Sequence, residues 1–379
     1  MSKYIYSNEL LNYRFSDSHP FNQMRLVLTT DLLKSLGVLD DSEMVSARKA
    51  TDEELKLVHT EDYIEAVKQA GLGTLSQAKC DSYGLNTNDT PNFKAMHDSS
   101  AWLVGGTLTA CDIVMTGVDR TACNLGGGLH HGFQGRASGF CIYNDSAVAI
   151  EYMKQKYGAR VLYIDTDAHH GDGVQWSFYS DNQAFTYSIH ETGRYLFPGT
   201  GSINEKGEGE GYLYSMNVPI DAYTEDESFL HCFKESVAVA CRFFKPDVIV
   251  SQNGADAHYL DPLTHLHCTH RIFEKIPRIV KQLADEHCAG RWIAVGGGGY
   301  NIFQVAPIAW SQVWLAMKDI PAPTGKLPEQ WIHKWQDQSA LTLPESWDAD
   351  DQDYQVIPRR AEITEKNERM LERIIQHYE

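Results

Sequence analysis

At 379 residues and 42.7 kDa the chain can bury a large core, in one big α/β domain or two ordinary ones. Apolar residues at 42% and charged residues at 22% exclude disorder over most of its length. The formal charge of −18, from 51 acidic against 33 basic residues, makes a poor field for nucleic acid; no apolar run approaches the roughly 20 residues of a membrane helix.

The N-terminal stretch MSKYIYSNELLNYRF is neither basic nor apolar enough for a secretory signal, so a cytoplasmic protein with no nucleic-acid or membrane partner is expected. Short β-branched or aromatic runs then recur: TACNL (121–125), VLYID (161–165), AFTYSI (184–189), YSMNV (214–218), DVIVSQ (247–252) and WIAVG (292–296). Helical patterns lie between several of them, as in SAVAIEYMKQKYG (146–158) and SFLHCFKESVAVACRFF (228–244). Continuous apolar strands alternating with helices predict a parallel sheet covered on both faces. Beyond residue 318 the texture changes to PAPTGKLPEQWIHKW and ESWDADDQDY, too rich in Pro, Trp and acid for a core element, and an extended surface tail is expected. In AEITEKNERMLERIIQHYE, Ile363, Met370, Leu371, Ile374 and Ile375 fall near one helical face, which predicts a terminal helix packed on the body. Eight cysteines are scattered without a CxxC pair, so buried free thiols are expected.

Ligands of an open parallel sheet bind beyond the carboxyl ends of its strands. VLYIDTDAHHGDG places Asp165, Asp167, His169, His170 and Asp172 at one such end. TACNLGGGLHHG places His130 and His131 past another, SQNGADAHYLDP places Asp256 and His258 past a third, and VGGGGYN places Tyr300 past a fourth. Neither glycine run has the GxGxxG or GxxxxGK[ST] pattern of a phosphate loop, so the glycines are read as letting side chains and a substrate converge. Side chains at i and i+2 project together from extended backbone, so Asp167 and His169 can share a metal, with Asp256 as the third ligand of an open Zn²⁺-type site. The alternative is that Asp167 caps a helix and His169 is a satisfied core histidine. Beside such a metal, His130 and His131 can carry protons with Asp165 and Asp172 orienting them, and Tyr300 can donate to an oxyanion.

Together GGLHHG, RASGFCIYND, VLYIDTDAHHGDGV, LFPGTG, QNGADAHYLDPL, AVGGGGYN, HPFNQMR and SYGLNTNDTP resemble the zinc-dependent histone deacetylase family, and within it the bacterial branch associated with acetoin utilization. The resemblance implies an arginase-like α/β fold with a mainly parallel eight-stranded sheet and helices on both faces. It also implies a catalytic domain over residues 1–317, with 318–379 a Pro/Trp-rich extension and terminal helix packed on the same domain. By resemblance Asp167, His169 and Asp256 are the zinc ligands, with Fe²⁺ a possible occupant. His130 and His131 are the tandem catalytic histidines, backed by Asp165 and Asp172, and Tyr300 stabilises the oxyanion. Gly139, Phe140, Phe197 and Leu263 are tunnel walls, Asp89 grips the substrate backbone at the rim, and Arg25 lines an inner acetate-release cavity. A structural K⁺ would draw on Asp165 and Ser188.

The implied reaction is hydrolysis of Nε-acetyl-lysine on a protein substrate, with acetylated acetyl-CoA synthetase the partner suggested by the acetoin branch. The alternatives are an acetylpolyamine amidohydrolase on the same fold and a non-catalytic acyl-lysine binding module. HLHCTH (265–270) looks metal-like but suits a loop-to-helix junction better than a second metal site. Metal identity, acyl preference and oligomeric state are left open by the sequence.

Overall fold

The structure, a computed structural model, describes residues 2–350 and 354–378. Eight strands form one sheet in the order β2-β1-β3-β8-β7-β4-β5-β6, and every neighbouring pair is parallel. They are β1 (Ser2–Ile5), β2 (Met44–Val45), β3 (Thr121–Asn124), β4 (Val161–Asp165), β5 (Ala184–Glu191), β6 (Ser215–Ile220), β7 (Val248–Gln252) and β8 (Trp292–Val295). All six strands expected from the apolar runs are present. The two not expected, β1 and β2, span only four and two residues, too few to show a period of their own.

Every residue of β3, β4, β5, β7 and β8 is buried. Successive strand residues point to opposite faces, so burial at every position means that both faces of the central sheet are covered. Met96–Met115 and Asp145–Tyr157 pack on each other beside β3 and β4, while Met24–Ser35, Ala306–Met317, His270–His287 and Asp226–Phe244 form a second chain of packed helices. Local chemistry sets the ends of these helices. Asn144 accepts the Ala147 N–H at the start of Asp145–Tyr157, and Gly158 closes that helix in the left-handed conformation with φ +64°.

The region after residue 318 departs from the expected extended tail. It contains a helix, Glu329–Gln336, whose Trp331 and Trp335 stand four residues apart on one face. With Leu327, Leu343 and Trp347 they form a second apolar cluster against Leu28 and Leu32 of Met24–Ser35 and against Ile308. Trp331 Nε1 donates to the Leu28 carbonyl at 3.0 Å and Trp335 Nε1 to Asp31 at 2.7 Å, so both indoles are buried with their N–H groups satisfied. Pro and acid are loop-formers on average, but the tryptophans decide this segment. The terminal helix, Arg360–Ile375, packs on Asp226–Phe244 and β6. Ile363, Leu371 and Ile374 are buried on its inner face and Met370 and Ile375 partly so, as the periodicity predicts.

Trp331→Ala removes the most deeply buried of the three tryptophans of the second cluster. It should cost about 3–5 kcal/mol of unfolding free energy, measured by guanidinium denaturation; a loss under about 1 kcal/mol would show that this cluster merely rests on the body.

Candidate metal centre and tunnel

Strands β3, β8, β7 and β4 are consecutive in the sheet and run the same way, so the four strand ends singled out in the sequence meet in one place. One oxygen of Asp167, Oδ1, lies 3.1 Å from His169 Nδ1, and Asp256 Oδ2 lies 2.8 Å from the same nitrogen. These three side chains are buried, and their ligand atoms fall within 4.8 Å of one another. The other oxygen of each carboxylate is already held. Asp167 Oδ2 accepts from Gln252 Nε2 at 2.8 Å and from the Gly298 N–H at 2.6 Å, while Asp256 Oδ1 accepts the Ala168 N–H at 2.9 Å. Each carboxylate therefore presents one fixed oxygen to a common point beside an imidazole nitrogen, an arrangement that suits a divalent cation with an open coordination position. Burial and the neighbouring Asp167 push the Asp256 carboxyl up to about 8 in the protein alone, while the two carboxylates outweigh burial at His169 and raise it to about 10, so the group holds protons where a cation would compete.

The histidine doublet stands beside this group, its rings 4.0 Å apart. His130 Nδ1 meets Asp165 Oδ2 at 2.8 Å, and His131 Nδ1 meets Asp172 Oδ1 at 2.7 Å. The two differ electrostatically. Burial opposes charge on both, but Asp165 and Asp167 outweigh it at His130 and raise that imidazole to about 9; at His131 burial and the adjacent His130 win over Asp172 and lower it to about 4. His131 is thus a neutral base beside a charged neighbour. His170, in the same segment, faces elsewhere, with Nδ1 2.8 Å from Thr200 Oγ1 and Nε2 3.1 Å from Gln175 Oε1.

A cavity of about 210 Å³ reaches His131 and His169. It is lined by Asp89, His131, Gly139, Phe140, His169, Leu196, Phe197, Leu263 and Tyr300, so all four expected wall residues, the rim aspartate and the tyrosine line one space. Gly139 has φ +49°, and a Cβ there would come within 2.5 Å of the His131 ring; only glycine lets the wall lie this close to the imidazole. Arg25 is buried, not a surface arginine. Its Nη1 donates to the carbonyls of Gly297 and Gly299 at 2.9 and 3.0 Å, which ties the glycine run ahead of Tyr300 to the helix Met24–Ser35. Asp165 and Ser188 are register partners on β4 and β5, and Ser188 Oγ lies 2.8 Å from His190 Nδ1.

Three residues outside the expected set support the centre. Gln252 anchors Asp167 as described. Asp261 accepts the Tyr300 N–H at 2.7 Å and the Leu263 N–H at 2.9 Å, so one buried carboxylate fixes both the tyrosine and a tunnel wall. Asp145 accepts the N–H groups of Gly128 and Leu129, at 3.0 and 2.8 Å, just ahead of the doublet. Each reaches a group distant in sequence, Gln252 the Asp167 side chain, Asp261 the Tyr300 N–H and Asp145 the Gly128 and Leu129 N–H groups, which leaves no local motif; the buried-strand pattern ending in Gln252 is the nearest signal.

The HLHCTH residues separate. His265 Nδ1 pairs with Glu191, His267 Nε2 with the Gln355 carbonyl, and Cys268 Sγ with the Thr224 carbonyl. Only His270 joins a second group, with His258 and Asp350. There the Leu260 N–H donates to His258 Nδ1 at 3.2 Å, so neutral His258 carries its proton on Nε2 and donates it to Asp350 at 3.2 Å. That nitrogen is a hydrogen-bond donor and has no lone pair for a metal.

Comparison with known proteins agrees with this geometry. Residues 19–317 match the histone deacetylase domain model. The chain is 59% identical over 366 residues to the acetoin utilization protein AcuC of Bacillus subtilis (strain 168), covering 97% of this chain and 94% of that protein. It is 53% identical over 376 residues to the protein of the same name from Staphylococcus xylosus, covering 99% and 98%. Among solved structures, an HDAC homolog complexed with SAHA superposes with a TM-score of 0.84 at 30% identity, covering 98% of this chain and 99% of that one. An HDAC homolog from Aquifex aeolicus gives 0.83 at 30% identity, covering 97% and 99%. With an eight-stranded parallel sheet of the arginase and deacetylase type, the chain belongs to the histone deacetylase family and is a hydrolytic deacetylase.

Proposed function

We propose that the protein is a metal-dependent lysine deacetylase that cleaves Nε-acetyl-lysine to lysine and acetate, and that its substrate is an acetylated protein, acetyl-CoA synthetase. The observation that carries the chemistry is a largely apolar cavity that reaches neutral His131 and His169, the latter grouped with one fixed oxygen each of Asp167 and Asp256. The synthetase is suggested by the acetoin utilization relatives. A cytoplasmic setting suits the eight cysteines, all buried and free.

The tunnel walls of Phe140, Phe197 and Leu263 fit the methylene stem of a lysine, and Asp89 at the rim can accept an N–H of the substrate backbone. Asp167, His169 and Asp256 would hold Zn²⁺ or Fe²⁺, since one nitrogen and two hard oxygens suit either ion. When bound, such an ion polarises the acyl carbonyl and acidifies a water. The protein's own groups then move the protons. His131, held by Asp172 through Nδ1, uses Nε2 to take the proton of the attacking water and return it to the leaving amine. His130, cationic on Asp165, stabilises the negative charge that develops on the acyl oxygen as water adds. Tyr300 donates its hydroxyl proton to the carbonyl oxygen, at a position set by Asp261 beneath its backbone and by Phe140, whose ring lies 5.7 Å away edge-on. Asp165 and Ser188, register partners on β4 and β5, would contribute to a K⁺ site.

The test is the substrate panel. Acetate release from acetylated acetyl-CoA synthetase and acetyl-lysine peptides should exceed that from acetylated spermidine, and addition of a chelator should abolish it; faster cleavage of acetylspermidine would favour the polyamine reading, and binding of acetyl-lysine peptide with no release would favour a non-catalytic module. Tyr300→Phe should lower kcat by about 10²–10³ with metal content unchanged, as for other oxyanion donors. Near-normal turnover in that variant would remove Tyr300 from the mechanism.

A further inference from the structure

Beside the tunnel mouth lies a second, larger groove of about 600 Å³ that none of the chemistry above uses. Two tunnel segments build its near wall. Tyr195 lines the groove while the next residues, Leu196 and Phe197, line the tunnel; His265 lines the groove two residues after Leu263 lines the tunnel. The far wall is the C-terminal segment, with Ile357, Pro358 and Ile363, and Tyr223 stands between. Groove and tunnel therefore share two chain segments.

The near wall is fixed. The buried Glu191 carboxylate accepts both the backbone N–H and Nδ1 of His265 at 2.8 Å, and the Tyr223 N–H donates to the His265 carbonyl at 2.9 Å. Its aromatic groups nevertheless face solvent, Tyr195 at 62% and Tyr223 at 51% exposure. Among the described residues, six of the twelve large hydrophobic side chains left exposed lie on these few segments: Tyr195, Phe197, Tyr223, Leu260, Leu263 and Val356. Such a concentration marks a contact surface. The charged groups of the groove are mutually occupied, Asp221 by Lys366 at 3.1 Å and Arg359 by Glu362 at 2.6 Å. A polyamine tail finds no unpaired carboxylate there, whereas an apolar or aromatic side chain finds three ring or aliphatic walls.

We propose that this groove binds the polypeptide flanking the acyl-lysine and seats an apolar or aromatic side chain of the substrate against Tyr195 and Tyr223. The inference rests on the lysine deacetylase reading and adds a determinant of sequence preference, to which the C-terminal extension contributes one wall.

The experiment compares acetyl-lysine peptides carrying Phe, Leu or Ala at each of the four positions on either side with a minimal acetyl-lysine amide that has no flanking residues. At one or two positions the wild-type enzyme should favour Phe or Leu over Ala in kcat/KM by about tenfold, the scale of one partly buried apolar side chain. Tyr195→Ala and Tyr223→Asn should each reduce that preference to about twofold or less, with the loss in KM; Asn is chosen because Tyr223 has φ +64°. A wild-type enzyme indifferent to flanking side chains, or variants that lose the same factor on the minimal amide as on the peptides, would overturn the groove and leave the deacetylase reading standing. Cleavage of acetylspermidine with no turnover of any acetyl-lysine compound would overturn both.

Discussion

The structure depends on holding several carboxylates together out of water. Asp165, Asp167, Asp172 and Asp256 are all buried at adjacent strand ends. An isolated buried carboxylate is costly enough that it ordinarily takes up a proton, so each needs a specific donor or a cation. Asp165 has His130 and the Tyr163 hydroxyl, and Asp172 has His131. Asp167 and Asp256 are left sharing His169 and a few N–H donors, and it is at this pair that negative charge exceeds what the protein supplies. A cation held by Asp167, His169 and Asp256 would complete the balance from outside.

Rigidity follows from the same constraint. A carboxylate that must point one oxygen at a fixed position needs its other oxygen tied, and Gln252, Gly298 and Ala168 provide those ties from β7, the glycine run and the β4 loop. The glycine run is in turn held by Arg25, and Tyr300 by Asp261. Four strand ends are thereby locked to one another by buried polar contacts, and a displacement in any one would misplace the tyrosine, the doublet or the ligands. The catalytic doublet gains its asymmetry from the arrangement too. His130 lies close enough to two carboxylates to be charged, and that charge helps keep His131 neutral.

Much of this was legible in the sequence because chemistry and periodicity coincided there. Unbroken apolar runs such as DVIVSQ and VLYID could be only fully buried strands, and the polar residues immediately beyond them had to lie at the carboxyl edge of a parallel sheet. That Asp167 and His169 would project together is legible in their i, i+2 spacing, and that His130 and His131 rather than His170 face the site is implied by the family resemblance. Contacts between distant segments were not readable. Nothing local marks Asp261 as the partner of the Tyr300 backbone 39 residues on, nor Asp145 as the anchor of the loop before His130. The C-terminal segment was misjudged because composition averages over residues, whereas Trp331 and Trp335 need only one helical face to build a core. The short strands β1 and β2 owe their existence to pairing with β3 and with each other.

The account is tested most directly by titrating metal-depleted protein with Zn²⁺ while following binding stoichiometry and thermal unfolding together. It predicts one ion per chain and a rise in Tm that is lost in Asp256→Asn but retained in His258→Gln, because the Leu260 N–H on His258 Nδ1 leaves the ring proton on Nε2, facing Asp350. Undiminished Zn²⁺ binding and stabilisation in Asp256→Asn would contradict it, since that carboxylate would then not be among the groups that hold the ion.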